Sequence, residues 1–412
     1  MKAAIIVIGN EVLSGETLDS NSQFLGQQLF KIGIPVVKKI SVPDEAAFIK
    51  DAIPECFSVA DVVICSGGLG PTSDDITKKT LAEYFESELV FDEKVFENIR
   101  EILKHHYKKF SEVHRNQAFI PDKATVLPNL MGTASGLLFT KNDKILIALP
   151  GVPFELQYIC LNHVIPYLLS MKTRSSILNK NIKTIGIGES VISEMIKDIE
   201  DKLPAGIKLA YLPSIGQVKL RLTAFSDINP DADELLQITT ESISERLSAY
   251  IYGYDDDQIA GVIGQLLRDK NKTLAIAESC TGGYLSHLIT SEAGSSDYFK
   301  GSLIAYSNEI KIKELNVPER IINQYGAVSR ECAEAMAKGI REKVNSDYGI
   351  ATTGIAGPGG GSADKPVGLV WIAVATSEGI ESRDIIFDRG RLQNIHFSAV
   401  TALNLLRKKI RA

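Results

Sequence analysis

Apolar residues along this chain gather in short runs separated by longer stretches of mixed polarity, and the period within each stretch separates strands from helices. Ala3–Ile8 and Asp61–Cys65 are buried-strand runs that each end in a Gly-containing loop, while Asn21–Lys31 and Thr77–Phe85 carry helical spacing. That alternation predicts a parallel sheet flanked by helices over residues 1–172. Pro150-Gly151-Val152-Pro153 punctuates this unit before another helical run. Residues 173–255 predict a smaller α+β module. It runs from strand Ile182–Ile187 and helix Ser190–Lys202 through two strands about the turn Pro213-Ser214-Ile215-Gly216 to helix Asp231–Ala249, a split βαβ order. The acidic run Asp255-Asp256-Asp257 marks the next boundary. Residues 256–412 open with helix Gln258–Arg268, continue through strands Thr273–Ala277, Gly301–Tyr306, Tyr348–Thr352 and Leu369–Ala375, and close with helix Leu392–Ile410. The fold class is α/β: an N-terminal parallel-sheet domain, a small α+β middle module and a C-terminal α/β domain.

Length and composition agree with several domains and narrow the function classes. A chain of 412 residues exceeds a comfortable single core. A hydrophobic share of 44% with 23% charged residues is ordinary for a globular protein. The formal net charge of −6 argues against a general nucleic-acid surface, because phosphate binding needs clustered Lys and Arg. The apolar run at the amino terminus is too short for a signal peptide, and no apolar stretch approaches the roughly 20 residues of a membrane span. A cytoplasmic location is expected. The five cysteines are dispersed without CxxC spacing, which suits reduced thiols better than a disulfide frame or a zinc site.

Candidate chemistry concentrates where predicted strands meet glycine-rich loops. Ala277-Glu278-Ser279-Cys280-Thr281-Gly282-Gly283 lies between a strand and a helix, which would place a hydroxyl beside free backbone N–H groups. Ser279 is then a nucleophile candidate, with Cys280 its rival; the alternative is that Ser279 or Thr281 only caps the helix. Ala305-Tyr306-Ser307-Asn308 ends another strand and is followed by Lys311, and Thr352-Thr353-Gly354-Ile355-Ala356-Gly357-Pro358-Gly359-Gly360-Gly361 ends a third. Parallel strands finishing in such loops converge on one crevice at the carboxyl edge of the sheet. A Ser-His-Asp triad is poorly supported, since His287 should point away from Ser279 and His396 sits on the terminal helix. The activating group for Ser279 is then Lys311 or Tyr306, with a depressed pKa.

In the first domain, Ser66-Gly67-Gly68-Leu69-Gly70-Pro71-Thr72-Ser73-Asp74-Asp75-Ile76-Thr77 follows a buried strand. Glycines there let backbone N–H groups approach a phosphate, and Asp74 and Asp75 would hold a divalent cation such as Mg2+ beside it. The alternative is a turn in which one carboxylate caps the next helix. Neither the Walker nor the GxGxxG spacing is matched.

These motifs carry a resemblance. Gly9–Gly15 with Asp19–Ser22, Ser66–Thr77, Gly132-Thr133-Ala134 and Leu149–Pro153 resemble the molybdopterin-binding-like domain of the CinA competence/damage-inducible family. Glu278–Gly283, Tyr306-Ser307-Asn308, Gly326–Ser329 and Thr353–Gly361 are similar to that family's C-terminal amidohydrolase domain. The resemblance implies a KH-like middle module and a C-terminal domain that hydrolyses nicotinamide mononucleotide to nicotinate mononucleotide and ammonia, without a cofactor. It implies Ser279 as nucleophile, Tyr306 and Lys311 as its activating pair, Thr353 near the reacting amide and Arg391 as a charged anchor. Backbone N–H groups of Thr281, Gly282 and Gly283 would hold the oxyanion. Cys280, Asn308, Gly354, Gly357, Gly359 and Gly360 would border the substrate, with the loop Gly357–Gly361 cradling its phosphate. For the N-terminal domain it implies a metal-dependent pyrophosphatase on ADP-ribose, with Gly67, Gly68, Gly70 and Thr72 as binding residues and Asp74 and Asp75 as metal ligands. A homodimer is also expected. Asn10, Ser135 and Arg389-Gly390-Arg391 depart from the family's usual text, and the last leaves Arg389 as the alternative to Arg391. Two other readings stand beside this one: a non-catalytic nucleotide-binding scaffold, and a molybdopterin-related binding protein.

Overall fold

The computed structural model describes residues 1–72, 75–105, 112–171, 177–226 and 228–412. They fall into two compact units, Met1–Asn179 with Phe225–Pro230, and Lys180–Ala224 with Asp231–Ala412.

The first unit has strands β1 (Ala3–Ile8), β2 (Val36–Val42), β3 (Val62–Ser66), β4 (Leu89–Phe91), β5 (Phe119–Pro121), β6 (Thr125–Leu127), β7 (Gly136–Lys141) and β8 (Lys144–Leu149). Its main sheet has the order β2-β1-β3-β8-β7-β6. Strands β2, β1, β3 and β8 are parallel, and Ala4, Ile6 and Ile8 of β1 enter one core while Ala3, Ile5 and Val7 enter the other. Burial on both faces explains why β1 and β3 read as apolar runs, whereas the edge strand β2 carries Lys38, Lys39 and Ser41. The far edge is antiparallel, because Asn142 and Asp143 both take positive φ and turn β7 directly back into β8.

The middle sheet is built from β9 (Ile177–Ile185), β10 (Ile207–Ser214), β11 (Gln217–Phe225) and β12 (Ile251–Tyr254), in the order β10-β11-β9-β12. Strand β11 lies between β9 and β10, the split arrangement expected from the element order. The helix expected over 190–202 is broken at Ile196 into Glu189–Met195 and Lys197–Glu200.

The C-terminal sheet contains β13 (Leu274–Glu278), β14 (Phe299–Ile304), β15 (Tyr348–Gly354), β16 (Leu369–Ala375) and β17 (Ile380–Ile386), ordered β14-β13-β15-β16-β17. Strands β13, β14 and β15 are parallel, so their carboxyl ends finish at one edge, whereas β16 and β17 return antiparallel. Leu274 and Ile276 face a core shared with helices Ile259–Asp269, Tyr284–Thr290 and Arg391–Arg411. Ala275, Ala277, Ala351 and Ala373 face helix Arg330–Lys343 on the other side. Small residues on that face let the helix approach closely: a Cβ on Gly349 would lie 2.2 Å from the Ala337 carbonyl oxygen, and one on Gly339 would lie 1.9 Å from that of Leu315.

Gly339→Ala therefore loses more than it gains. Helix propensity favours Ala by about 1 kcal/mol, but the added methyl meets backbone that no rotamer change can move, and overpacking costs about 1–3 kcal/mol or more. A lower urea midpoint for the C-terminal sheet is expected, read by fluorescence of Trp371, the chain's single tryptophan, on β16; an unchanged or raised midpoint contradicts the close approach.

Candidate active site

The carboxyl ends of β13, β14 and β15 surround a cleft of about 300 Å³. Ser279 follows β13 directly and stays in register with β15 through its N–H, which donates to the Thr352 carbonyl at 2.9 Å. Tyr306 follows β14, and Asn308 opens helix Asn308–Leu315, which is capped by the Ser307 hydroxyl accepting from Ile310 N–H at 3.3 Å. That helix carries Lys311 back over the strand ends. Ser279, Cys280, Tyr306, Asn308, Lys311, Thr353, Gly354, Gly357, Gly359, Gly360 and Arg391 all border the cleft.

Lys311 is the centre of the arrangement. Its side chain is only 1% exposed, yet its Nζ lies 3.0 Å from Ser279 Oγ, 2.8 Å from the Ala305 carbonyl and 3.2 Å from the Tyr306 carbonyl. Burial holds its pKa below the ordinary lysine range, with the Cys332 and Cys280 thiols as weaker opposing influences. The three partners serve both protonation states. An ammonium donates to all of them; a neutral amine keeps the two carbonyls and turns its lone pair toward the Ser279 O–H. A base and a hydroxyl are thus held in contact without histidine. His287 is exposed on helix Tyr284–Thr290 and contacts Ser291, and His396 Nδ1 sits 2.8 Å from Tyr284 OH.

Tyr306 takes a different position from the one expected. Its ring is 61% exposed, and its hydroxyl accepts from Arg391 Nη2 at 3.1 Å. Only its backbone carbonyl reaches Lys311, so the side chain shapes the rim instead of pairing with Ser279. Arg391 also donates through Nη1 to the Gly357 carbonyl at 2.9 Å, pinning the glycine loop. Arg389 does not border the cleft; its N–H donates to buried Asn394 Oδ1, whose own amide donates to the Ala356 carbonyl. Thr353 Oγ1 donates to the Ala327 carbonyl at 2.7 Å, fixing the end of β15. Cys280, the rival nucleophile, also borders the cleft, and burial pushes its thiol up to about 12. A thiol so protonated is a poor nucleophile.

The expected oxyanion donors require a correction. Glu278, fully buried at the end of β13, accepts from the N–H groups of Gly283 (3.0 Å), Leu285 (3.1 Å) and Ser286 (2.8 Å) and from the Ser286 hydroxyl (2.5 Å). The helix N-terminus that looked open to a substrate is filled by the chain's own carboxylate. Gly282 N–H donates to the Ser279 carbonyl at 3.2 Å, and Thr281 Oγ1 lies 2.7 Å from Thr352 Oγ1. Gly282 and Gly283 therefore do not serve as donors in this arrangement. They take φ of +60° and +102°, which lets the chain double back beneath Glu278. The carboxylate sits one residue before the nucleophile candidate, in a run that reads as strand, so nothing local marks it as a cap.

In the first unit, the glycine loop after β3 is packed as tightly as it is open. A Cβ on Gly67 would meet the Ile8 carbonyl oxygen at 2.1 Å, and one on Gly68 would meet Thr77 Oγ1 at 2.1 Å. Asp75 Oδ2 accepts from Thr72 N–H at 2.9 Å and from the Thr72 hydroxyl, and the same oxygen lies 2.5 Å from a Cβ built on Gly70. Asp75 is thus committed in part to its own turn. Asp74 lies outside the described residues. Among the described residues no group of three or more His, Cys, Asp or Glu is gathered for a metal ion. Two buried polar atoms beside the loop, Asn21 Oδ1 and Thr77 Oγ1, have no hydrogen-bond partner among the described residues, while Asn21 Nδ2 donates to Ser66 Oγ and the Gly151 carbonyl. Lys78, next to Thr77, donates to the carbonyls of Asn116 and Gln117, and burial lowers it to about 8. Its helical context gave no sign of this.

Residues 256–410 match the family described as "CinA C-terminal domain", residues 179–253 "Damage-inducible protein CinA KH domain", and residues 4–170 "Probable molybdopterin binding domain". A CinA-like protein of Cytophaga hutchinsonii is 42% identical over 409 residues, covering 99% of this chain and 98% of its own. A CinA-like protein of Flavobacterium psychrophilum is 42% identical over 413 residues, covering 100% and 99%. The solved competence/damage inducible protein CihA of Agrobacterium tumefaciens is 35% identical and covers 37% of this chain and 94% of its own, with a TM-score of 0.37.

Glu278→Gln tests the filled helix terminus. The amide loses the charge and faces N–H donors with its own NH2, leaving buried donors unsatisfied at about 1–3 kcal/mol each. Amide exchange at Gly283, Leu285 and Ser286 is expected to accelerate by about tenfold or more. Unchanged protection at these residues removes the capping role.

Proposed function

Since this chain belongs to the CinA family of competence/damage-inducible proteins, we propose that its C-terminal domain hydrolyses the carboxamide of nicotinamide mononucleotide to nicotinate mononucleotide and ammonia. The observation that carries this reading is the contact between Lys311 Nζ and Ser279 Oγ, 3.0 Å apart and both buried. Ser279 Oγ attacks the carboxamide carbon as its proton passes to neutral Lys311. The C–N bond then breaks, and Lys311 returns the proton to the departing ammonia. Water, deprotonated by the same amine, cleaves the acyl-serine and restores both groups. With Gly282 and Gly283 occupied, the backbone N–H groups of Cys280 and Thr281 are the donors left beside Ser279 for the oxyanion. Arg391, Asn308 and the loop Gly357–Gly361 offer the charge and polar contacts for the phosphate end of the substrate.

For the N-terminal domain we infer a phosphate-ester ligand and the metal-dependent hydrolysis of ADP-ribose. This second reading is favoured by two buried oxygens beside the glycine loop that have no partner among the described residues: the Thr77 hydroxyl can donate to a phosphate oxygen, and Asn21 Oδ1 can accept from a ribose hydroxyl. Asp75 has one oxygen committed to Thr72, so the described residues alone do not make a cation site.

Ser279→Ala should lower deamidation by about 10^4-fold or more while leaving the fold intact. Lys311 must be neutral to accept the proton, so turnover falls as acid protonates it, and the acid limb lies below the ordinary lysine value of 10.5. Lys311→Arg should be as damaging as Lys311→Ala, since a guanidinium keeps its proton. Ammonia release by either Lys311 variant at parental rates and with the parental pH profile rejects the dyad.

Asp75→Asn should abolish ADP-ribose hydrolysis and leave deamidation untouched. Calorimetry with and without Mg2+ checks it. Equal ADP-ribose affinity in variant and parent, insensitive to metal, makes the loop a turn and no more.

A further inference from the structure

A second cleft, of about 420 Å³, lies within the same compact unit as the Ser279 site. It is bounded by the loop after β9, the β10–β11 hairpin, strand β17 and the outer turns of helix Arg391–Arg411. Two glycines shape it. Gly186 has φ +76° and brings its Cα so close that a Cβ would sit 2.9 Å from Asn404 Nδ2, and Gly216, with φ +74°, sits against the Phe397 ring.

The floor of this cleft is built, not accidental. Asn404 is 4% exposed, and its Oδ1 accepts from both Nε (3.2 Å) and Nη2 (3.0 Å) of Arg407. That fork fixes the amide and turns the Nδ2 donor toward the cleft, where it has no partner among the described residues. Arg407 itself is 1% exposed, and its third contact is the Ile251 carbonyl at 2.9 Å. Among the described residues no carboxylate pairs with it, an unusual condition for a buried guanidinium. Arg383 and Lys408 stand at the cleft walls, also without an ion pair among the described residues, and Glu189 is the one carboxylate in the lining. Two lining cations against one carboxylate, with Arg407 buried behind Asn404, make a positive concavity in a chain whose net charge is −6.

We propose that this cleft is a second ligand site, separate from the Ser279 cleft, which takes a small molecule bearing a phosphate group. Arg383 and Lys408 supply the matching charge, Asn404 Nδ2 a directed donor, and buried Arg407 an unscreened positive field behind it. Ser214, Gln217 and Thr401 leave polar contacts for the uncharged body of the ligand. The volume exceeds that of a bare anion. None of these residues belongs to the machinery proposed for deamidation, and the inference stands or falls independently of that reading.

Hydrogen exchange on the full chain tests it, with inorganic pyrophosphate, ribose 5-phosphate, adenosine monophosphate and adenosine as probes. At least one phosphorylated probe should slow exchange in segments 186–190, 213–217 and 401–408, and adenosine should not. Which probe protects tells a nucleotide from a sugar phosphate or a free polyphosphate. The double variant Arg383→Glu, Lys408→Glu, made at exposed positions, should raise the half-saturating concentration for that protection by about tenfold or more. Asn404→Asp keeps the acceptor for Arg407 but puts a negative charge in the cleft, and should abolish protection without lowering the melting temperature. Absence of protection by all three phosphorylated probes, or protection unchanged in both variants, overturns the proposal.

Discussion

A buried amine with no carboxylate partner among the described residues is the constraint on which the C-terminal domain turns. Lys311 has no ion pair among the described residues, and its place at the strand ends is made tolerable by the Ala305 and Tyr306 carbonyls and the Ser279 hydroxyl, which take up its hydrogen bonds. Those partners come from the ends of two adjacent parallel strands. Their mutual position is set by the register of β13 against β14 and β15, in which Glu278 lies opposite Ile304 on one side and Thr352 on the other. A slip of one residue would carry Ser279 to the other face of the sheet and leave the amine unsatisfied.

Two further devices maintain that register. The alanine face of β13, β15 and β16 lets helix Arg330–Lys343 approach until Gly339 meets the Leu315 backbone, which locks the end of the helix that carries Lys311. On the opposite face Glu278 ties the end of β13 to the first turn of helix Tyr284–Thr290 through four hydrogen bonds. The residue before the nucleophile candidate is thus fixed by a charge-assisted network, and Ser279 inherits its position from it. Helix Arg391–Arg411 then links distant regions: its first residue borders the Ser279 cleft, and Asn404 and Lys408 line the positive concavity against the middle sheet, with Arg407 bonded to Asn404 behind it.

Most of the element order was legible from local pattern, because it depends on period and punctuation. Leu369–Ala375 and Ala3–Ile8 stand where their apolar runs place them, and helix Tyr284–Thr290 follows the glycine pair as expected. The pattern carries no direction for such a strand, and it misjudged continuity. Nothing in Leu369–Ala375 distinguishes an antiparallel strand from a parallel one when both faces are buried, and the break at Ile196 lies inside an amphipathic period.

For the site, the sequence by itself determined which residue types stand at strand ends: Ser279, Tyr306 with Lys311, and Thr353 with its glycine loop. A hydroxyl, an amine and a phosphate-sized loop at one sheet edge follow from strand order and the rule that such edges collect ligands. Only the tertiary structure decided what each group does there. It brings Lys311 rather than the Tyr306 hydroxyl to Ser279, gives the glycine loop to Arg391 rather than Arg389, and fills the apparent oxyanion pocket with Glu278. The physical reason is that a polar side chain's role is set by which unsatisfied donors and acceptors lie within hydrogen-bond reach after burial. Those partners come from elements far apart in the chain, such as the 85 positions between Tyr306 and Arg391.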